Sequence, residues 1–341
     1  MSLLARPGRD VGCVMISDTI DDRPVRRAVQ TFTTDSLPVE DRFDHWREER
    51  GRSLFGVTIE LPREKRSAFQ GAFRAHRIGD AVASEMNASS YLVRRSPSDI
   101  ARQAGDSLCV SLQVRGGGAL ITDGDQVETI GEGDLSISYS DLPFLGAPAK
   151  DGGFLHRTLK IPRDAAIMLD RPIDDLAPAK LAEEAGVQRP LRALFTVLTD
   201  PDGVSADPED LTHVARLSLV ARNRLSLGCP EARAALRAGL RYAAVEIMRR
   251  DLRKFDLAPA AVAEELGVSV RQLHVLFEQA EQSFARTLAR IRVETAAELL
   301  KGARALPVTQ VALRCGFDSL ATFYRVFGRA HGVSPNAFRT A

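Results

Sequence analysis

Ala261-Val262-Ala263-Glu264-Glu265-Leu266-Gly267-Val268-Ser269-Val270-Arg271-Gln272-Leu273-His274-Val275-Leu276-Phe277 and Val308-Thr309-Gln310-Val311-Ala312-Leu313-Arg314-Cys315-Gly316-Phe317-Asp318-Ser319-Leu320-Ala321-Thr322-Phe323-Tyr324-Arg325-Val326-Phe327 share one layout. Each is a short apolar helix pattern, a glycine, and a second helix pattern with polar residues facing outward. Ala263 and Ala312 precede Gly267 and Gly316 by four positions. A small residue there lets two helices cross closely, and glycine supplies the positive φ of a tight interhelical turn. Each stretch therefore reads as a helix-turn-helix. Two such units on one connecting helix can place two recognition helices in successive major-groove segments, so the pattern points to double-stranded DNA as a partner.

The chain has 341 residues, 44% hydrophobic and 27% charged, enough for two globular domains with a helical region between them. Met1 to Ile20 contains Arg6, Arg9, Asp10 and Asp18 without a continuous apolar core, and no later stretch has the length to span a bilayer. A cytoplasmic protein with no membrane partner is expected. Cys13, Cys109, Cys229 and Cys315 lie far apart, which signals neither a disulfide framework nor a zinc site. The net charge of +1 hides an asymmetry: residues 231 to 341 hold 17 Lys or Arg against 11 Asp or Glu. That basic surplus is modest, so phosphate neutralisation has to be supplemented by specific contacts.

Residues 1 to 30 mix charge, Gly and Pro without apolar periodicity and are expected to form a flexible leader. Asp41 to Leu54 reads as helical, with Phe43, Trp46 and Leu54 as candidate buried positions, and Val57 to Leu61 alternates as a strand does. Val110, Leu112 and Val114 alternate with Ser111, Gln113 and Arg115. Ala119 to Thr122, an Asp123-Gly124 hairpin turn, Gln126 to Ile130, and then Leu135, Ile137 and Tyr139 continue the pattern. Residues 31 to 162 thus read as a small antiparallel barrel or sandwich able to enclose a ligand.

Beyond Pro162 the pattern turns helical, through Arg163 to Leu169, Ala179 to Glu184 and Pro190 to Leu198. Asp207-Pro208-Glu209-Asp210 has the capping Asp, first-turn Pro and acids of a helix start. The stripe Leu211, Val214, Ala215, Ala221 and Leu225 then either packs on the protein's own barrel or forms a dimer interface. Residues 163 to 229 form this helical region. Leu227-Gly228-Cys229-Pro230 ends it, and a helix carrying Leu236, Leu240, Ala244, Ile247 and Leu252 opens the last domain, 230 to 341.

At these residues the chain resembles the AraC/XylS family of bacterial transcription regulators. The match is strongest at Gly316-Phe317-Asp318-Ser319, Phe323 to Phe327, Gly332-Val333-Ser334-Pro335 and Phe338-Arg339, with Arg292, Ala296, Leu299 and Leu300 before them, and it covers residues 235 to 340. Thr33-Thr34-Asp35, Phe43 to Trp46, Tyr91 to Arg95 and Gly131 to Leu135 look like the cupin-type barrel that precedes this domain in many members. The resemblance implies an α+β chain: an N-terminal cupin-like antiparallel β-barrel that senses a small molecule or a protein partner, a helical dimerisation region, and an all-α C-terminal domain with two helix-turn-helix units. It implies a homodimer on promoter DNA, most often an activator, with RNA polymerase as a further partner.

For the second unit the resemblance implies that Leu320, Ala321, Thr322, Tyr324 and Arg325 face bases and nearby phosphates, and Arg329 is counted with them. Arg325 has the fork for a bidentate contact to guanine, and Leu320 or Ala321 can touch a thymine methyl. In the first unit Ser269 is the expected cap, leaving Arg271, Gln272, His274 and Val275 outward. Here the chain departs from its relatives: Val275 stands where Arg is common, Glu278 and Gln279 where basic residues often follow, and Glu281 where Gly is usual. Arg286 and Arg290, on a connecting helix capped by Ser283, are expected to reach phosphates. Arg292 is expected to pair with the domain's own acids, and Asp318 to satisfy the start of its own helix.

Signals of catalysis are missing. The two His separated by one residue, the Glu and the third His of a catalytic cupin do not occur: His76 and His156 stand apart, and His45 and His213 sit on helix patterns. Gly116-Gly117-Gly118 is followed by a strand rather than by Lys-Ser and a helix, so it is a turn. No metal, cofactor or enzymatic activity is expected. The rival readings are a cupin-type barrel enzyme tethered to DNA and an effector-independent architectural DNA-binding protein.

Overall fold

A computed structural model describes residues 29–122, 126–181, 186–203, 207–278, 283–302 and 306–340. The expected leader up to residue 28, the Asp123-Gly124 turn and Cys13 lie outside the described residues, as do Gln279 and Glu281. The chain begins with β1 (Gln30–Thr33), α1 (Arg42–His45), which runs on as a π-helix over Trp46–Phe55, β2 (Thr58–Glu60) and α2 (Arg63–Arg66). Then come β3 (Gly71–Ile78), β4 (Ala81–Ala88), β5 (Leu92–Arg95), α3 (Pro97–Arg102), β6 (Ser107–Arg115) and β7 (Gly118–Thr122). The sheet region closes with β8 (Gln126–Ile130), β9 (Leu135–Tyr139), β10 (Phe144–Pro148), β11 (Phe154–Pro162), α4 (Ala165–Met168) and β12 (Ala179–Lys180). Nine helices follow among the described residues, beginning with α5 (Gln188–Thr199), α6 (Pro208–Ala221) and α7 (Pro230–Asp251).

The architecture is α+β, with antiparallel sheets first and helices after. One sheet runs β1-β3-β4-β11-β6-β9-β12 and the other β2-β5-β10-β7-β8. Period-two alternation decides which side of the larger sheet meets what. Leu108, Val110, Leu112, Leu135, Ile137, Leu159 and Ile161 point to one face, where they share a core with Leu191, Leu194, Phe195 and Leu198 of α5 and Val214 and Leu217 of α6. The opposite face looks toward the smaller sheet; Phe73 and Ala88 there pack in one cluster with Ile59, Phe43 and Trp46. Trp46 is the anchor its uniqueness suggested: a Cβ on Gly71 would stand 2.6 Å from its ring, so that strand must carry glycine.

One expectation is corrected, and the packing of two later helices adds to what the pattern gave. Ala179 to Glu184 does not start as a helix: Ala179 and Lys180 pair with Ile137 and Ser136, and Leu181 N–H donates to Leu135 O at 2.7 Å. Sheet-edge hydrogen bonds outweigh helix propensity there. The stripe on α6 is consumed inside the chain, where Leu211, Val214, Ala215 and Leu225 are buried in the shared core, so it is no free dimer face. The helix expected to open the last domain at residue 230 begins inside the first core, through Ala232 and Ala235, and only its later residues Ala244, Ile247 and Met248 enter the next one.

Between the sheets' ends a buried ion pair joins several loops. Arg95, 5% exposed, meets Asp141 at 2.8 Å and donates to the carbonyls of Ser140, Gly56 and Gln103. Burial pushes the Asp141 carboxyl up, but hydrogen bonds from Asp106 N, Gly105 N and Arg95 outweigh it and hold it below its ordinary value. Nearby, Asp99 is likewise pushed up by burial yet brought down to about 2 by Ser96, Arg102 and Thr58. Replacing Arg95 by Met strands a buried carboxylate and should cost about 3–5 kcal/mol in a denaturant titration; a loss below ~1 kcal/mol would contradict this role. Both carboxyls have folded pKa values under the unfolded value of about 3.9. Their stabilisation is therefore complete above that pH and should drain away as pH falls from about 4 toward 2, read as a falling thermal midpoint.

Candidate nucleic-acid interface

The C-terminal helices are α8 (Pro259–Leu266), α9 (Val270–Glu278), α10 (Phe284–Gly302), α11 (Val308–Arg314), α12 (Leu320–His331) and α13 (Pro335–Thr340). The two turns are built alike. Gly267 has φ +67° and Gly316 φ +75°. In each, the residue after the glycine donates back to the alanine four before it: Val268 N to Ala263 O and Phe317 N to Ala312 O, both at 3.0 Å. This satisfies the carbonyls a helix end leaves open. Ala263 and Ala312 are buried at the helix crossings, as their size requires.

In the first unit Ser269 caps α9 reciprocally: Gln272 N donates to Ser269 Oγ at 3.2 Å and Ser269 N to Gln272 Oε1 at 2.9 Å. Leu273, Leu276 and Phe277 are buried, and Arg271, Gln272, His274 and Val275 are exposed on the other side. Gln272 is thus outward as expected, but its amide oxygen is held by the cap.

In the second unit Ser319, not Asp318, caps α12, accepting from Thr322 N at 3.4 Å. Phe323 and Phe327 are buried and pack against each other and against Phe317 and Phe338, with ring centroids 5.1 to 5.5 Å apart in tilted and edge-on arrangements. The face left outside carries Leu320, 43% exposed, Ala321, Tyr324, Arg325 and Arg329, with Thr322 half-buried at its border. Asn336 of α13 was missed by sequence reasoning; its Nδ2 lies 3.5 Å from Tyr324 Oη. The Ser334-Pro335 helix start that positions it was the signal available.

Arg271, Arg286, Arg325 and Arg329 are exposed and form no ion pair among the described residues. Arg290 differs, because Glu294 one turn on binds it at 2.7 Å. Arg292 is structural, but its partners are not acids: it donates to Leu252 O at 3.1 Å and Lys254 O at 2.6 Å, the carbonyls that leave α7. Burial lowers its pKa from the ordinary arginine value. At Gly316 a Cβ would fall 2.0 Å from Leu252 O and 3.0 Å from the Arg292 guanidinium. Glycine is required there by space as well as by φ. Helix α10 ties the units together, with Phe284, Leu288 and Ile291 in the first core and Val293, Ala296 and Leu300 in the second.

The two histidines of the sheets, expected to stand apart from any metal cluster, each meet a protein partner. His76 Nε2 lies 2.9 Å from Leu198 O beneath α5, and His156 Nδ1 lies 3.2 Å from Gln113 Oε1 between the sheets.

Known families match both halves of this arrangement. A helix-turn-helix domain model covers residues 262–341, and the model of an AraC-binding-like domain covers residues 46–222, more than half the chain. The chain belongs to the AraC family of transcription regulators. It is a DNA-binding regulator with an N-terminal domain of the ligand-binding type. The transcriptional activator NphR of Rhodococcus sp is 22% identical over 321 residues, spanning 92% of this chain and 93% of that relative. Among solved structures, the AraC-like transcriptional activator CuxR aligns over 84% of this chain and all of its own, with 16% identity and a TM-score of 0.44. The C-terminal domain of AraT, a response regulator from Geobacillus stearothermophilus, is 36% identical, covering 30% of this chain and 84% of that domain with a TM-score of 0.28.

The two turn glycines of this regulator separate φ from space. Nothing lies within 4 Å of a Cβ at Gly267, so Gly267→Ala should cost only the ~1 kcal/mol of a strained φ. Gly316→Ala also forces Leu252 and Arg292 apart and should cost at least ~3 kcal/mol with loss of binding to all DNA. Equal melting shifts for the two variants would contradict the packing described.

Proposed function

We propose that this regulator activates promoters by sequence-specific binding through α9 and α12, under the control of a small molecule or partner sensed by the barrel. The observation that carries the reading is the face of α12, where Arg325 stands exposed, with no ion pair among the described residues, beside Ala321 and Tyr324, over a core locked by Phe323 and Phe327. A guanidinium on such a face fits the O6/N7 edge of guanine, and Leu320 or Ala321 fits a thymine methyl. Helix α9 contributes Arg271 and His274 with the apolar Val275, and Arg286 adds a phosphate contact; this half grips the backbone more weakly. Arg290 joins them only by leaving Glu294.

The working division is a barrel over 31 to 162, a helical region to 229 and a DNA-binding domain from 230 onward that shares α7 with the barrel's core. The regulator acts in the cytoplasm without catalysis, as a homodimer formed through a surface other than the α6 stripe, and engages RNA polymerase at the promoter. An activator role follows the name of the relative NphR. Control works by population shift, so an effector acts through its differential affinity for the DNA-competent state.

Arg325→Ala, assayed on the preferred site and on its single-base variants, should lose about 1–3 kcal/mol on the preferred site and discriminate less at one guanine. Uniform weakening on every sequence would make Arg325 a phosphate contact, and no weakening would remove α12 from the interface.

A further inference from the structure

The two helix-turn-helix units continue alike beyond their recognition helices. Each is followed by a serine that opens the next helix: Arg286 N donates to Ser283 Oγ at 3.3 Å, and Ala337 N donates to Ser334 Oγ at 3.2 Å. Ser283 follows Val270, the first residue of α9, by 13 positions, and Ser334 follows Leu320, the first of α12, by 14. The turn after each serine therefore corresponds between the units. In the first unit that turn carries Arg286, which reaches phosphate in the function proposed. In the second it carries Asn336, which is exposed and uncharged.

Asn336 is carried by a well-anchored helix. Pro335 beside it is buried, Phe338 lies edge-on to Phe327 at 5.3 Å, and Arg339 Nη2 donates to Leu306 O at 2.6 Å, which ties α13 to the start of the second unit. Tyr324 is fixed as well, its ring edge-on to the buried Phe323 at 5.9 Å. This anchoring brings Asn336 Nδ2 to 3.5 Å from Tyr324 Oη. A strong N–H···O bond is about 2.9 Å long, so the pair is loose. Among the described residues no acidic side chain bonds either group. Both are neutral donors with surface left open, and an anionic oxygen about 2.8 Å from each fits between them. A base edge presents a fixed pattern of donors and acceptors, whereas two donors converging on one point match a phosphate oxygen with its several lone pairs.

We propose that Tyr324 Oη and Asn336 Nδ2 form a neutral clamp on one phosphate oxygen of the DNA backbone, the counterpart in the second unit of the Arg286 contact in the first. The proposal rests on the reading of α9 and α12 as the DNA-facing helices. A neutral clamp fixes position without displacing a counterion, so it sets how α12 lies in the groove and leaves the choice of base to Arg325.

The test measures binding of the full-length protein to a selected genomic site and to a scrambled copy across a range of salt. Asn336→Ala and Tyr324→Phe should each weaken both complexes by about three- to tenfold, with the preference for the selected site and the slope against salt unchanged. Because the two donors share one oxygen, the double variant should lose less than the product of the single losses. Asn336→Lys puts a charge at the same point and should tighten both complexes and steepen the salt slope by about one, a gain that misfolding cannot produce. Unchanged binding in Asn336→Ala, single losses that multiply, a loss confined to the selected site, or weaker binding by Asn336→Lys would each overturn the clamp. A wild-type protein that binds both DNAs equally overturns sequence-specific reading instead, and the clamp is then still measured on either DNA. No binding of either DNA overturns both.

Discussion

Helix α7 is a single continuous segment with its two ends in different cores, and the relation between the sheets and the DNA-reading helices depends on it. Near its middle, Gly239 lies so close to α5 that a Cβ would stand 2.6 Å from Pro190. Further on, Ala244, Ile247 and Met248 support the first helix-turn-helix, and the carbonyls beyond its end hold Arg292. A second link runs beside it. Arg189 of α5 donates to Glu265 O at 2.6 Å, and Arg250 of α7 grips the same residue's carboxylate at 2.6 and 2.8 Å. Close-packed helices move as units rather than bending freely, so a tilt of α5 reaches α8 through α7 and Glu265.

The C-terminal half was legible in the sequence because its signals are local. Apolar spacing, a glycine at each turn, and Ser269, Ser283 and Ser319 at helix starts determine which side chains are buried within a few residues of the signal. Leu273, Leu276, Phe323 and Phe327 therefore fall where the pattern put them. The misses depend on partners distant in sequence. Arg292 reaches carbonyls forty residues earlier, which no spacing announces, and its family role suggested acids instead. Lys180 N–H donates to the Glu128 carboxylate and Leu181 N–H to the Leu135 carbonyl in place of a helix. The α6 stripe could be read equally as core or interface, since a pattern of apolar residues states that a face is covered and not by what.

The two units differ in charge more than in shape. Both have the same glycine turn and a serine cap, but α9 exposes Arg271 among His274 and Val275, whereas α12 exposes Arg325 and Arg329 beside Leu320 and Tyr324. With a modest basic surplus in this half, nonspecific attraction to phosphate is limited, and base-edge contacts have to supply the difference. Helix α10, shared by both cores, sets the spacing between the two helices.

The most direct test of this account is selection of genomic fragments by the purified full-length protein at physiological salt, followed by binding to the enriched site and to a scrambled copy. A preference above roughly a thousandfold is predicted for a specific regulator. A ratio near one, with both sequences bound alike, would contradict sequence-specific regulation and leave two helix-turn-helix units that grip DNA without reading it.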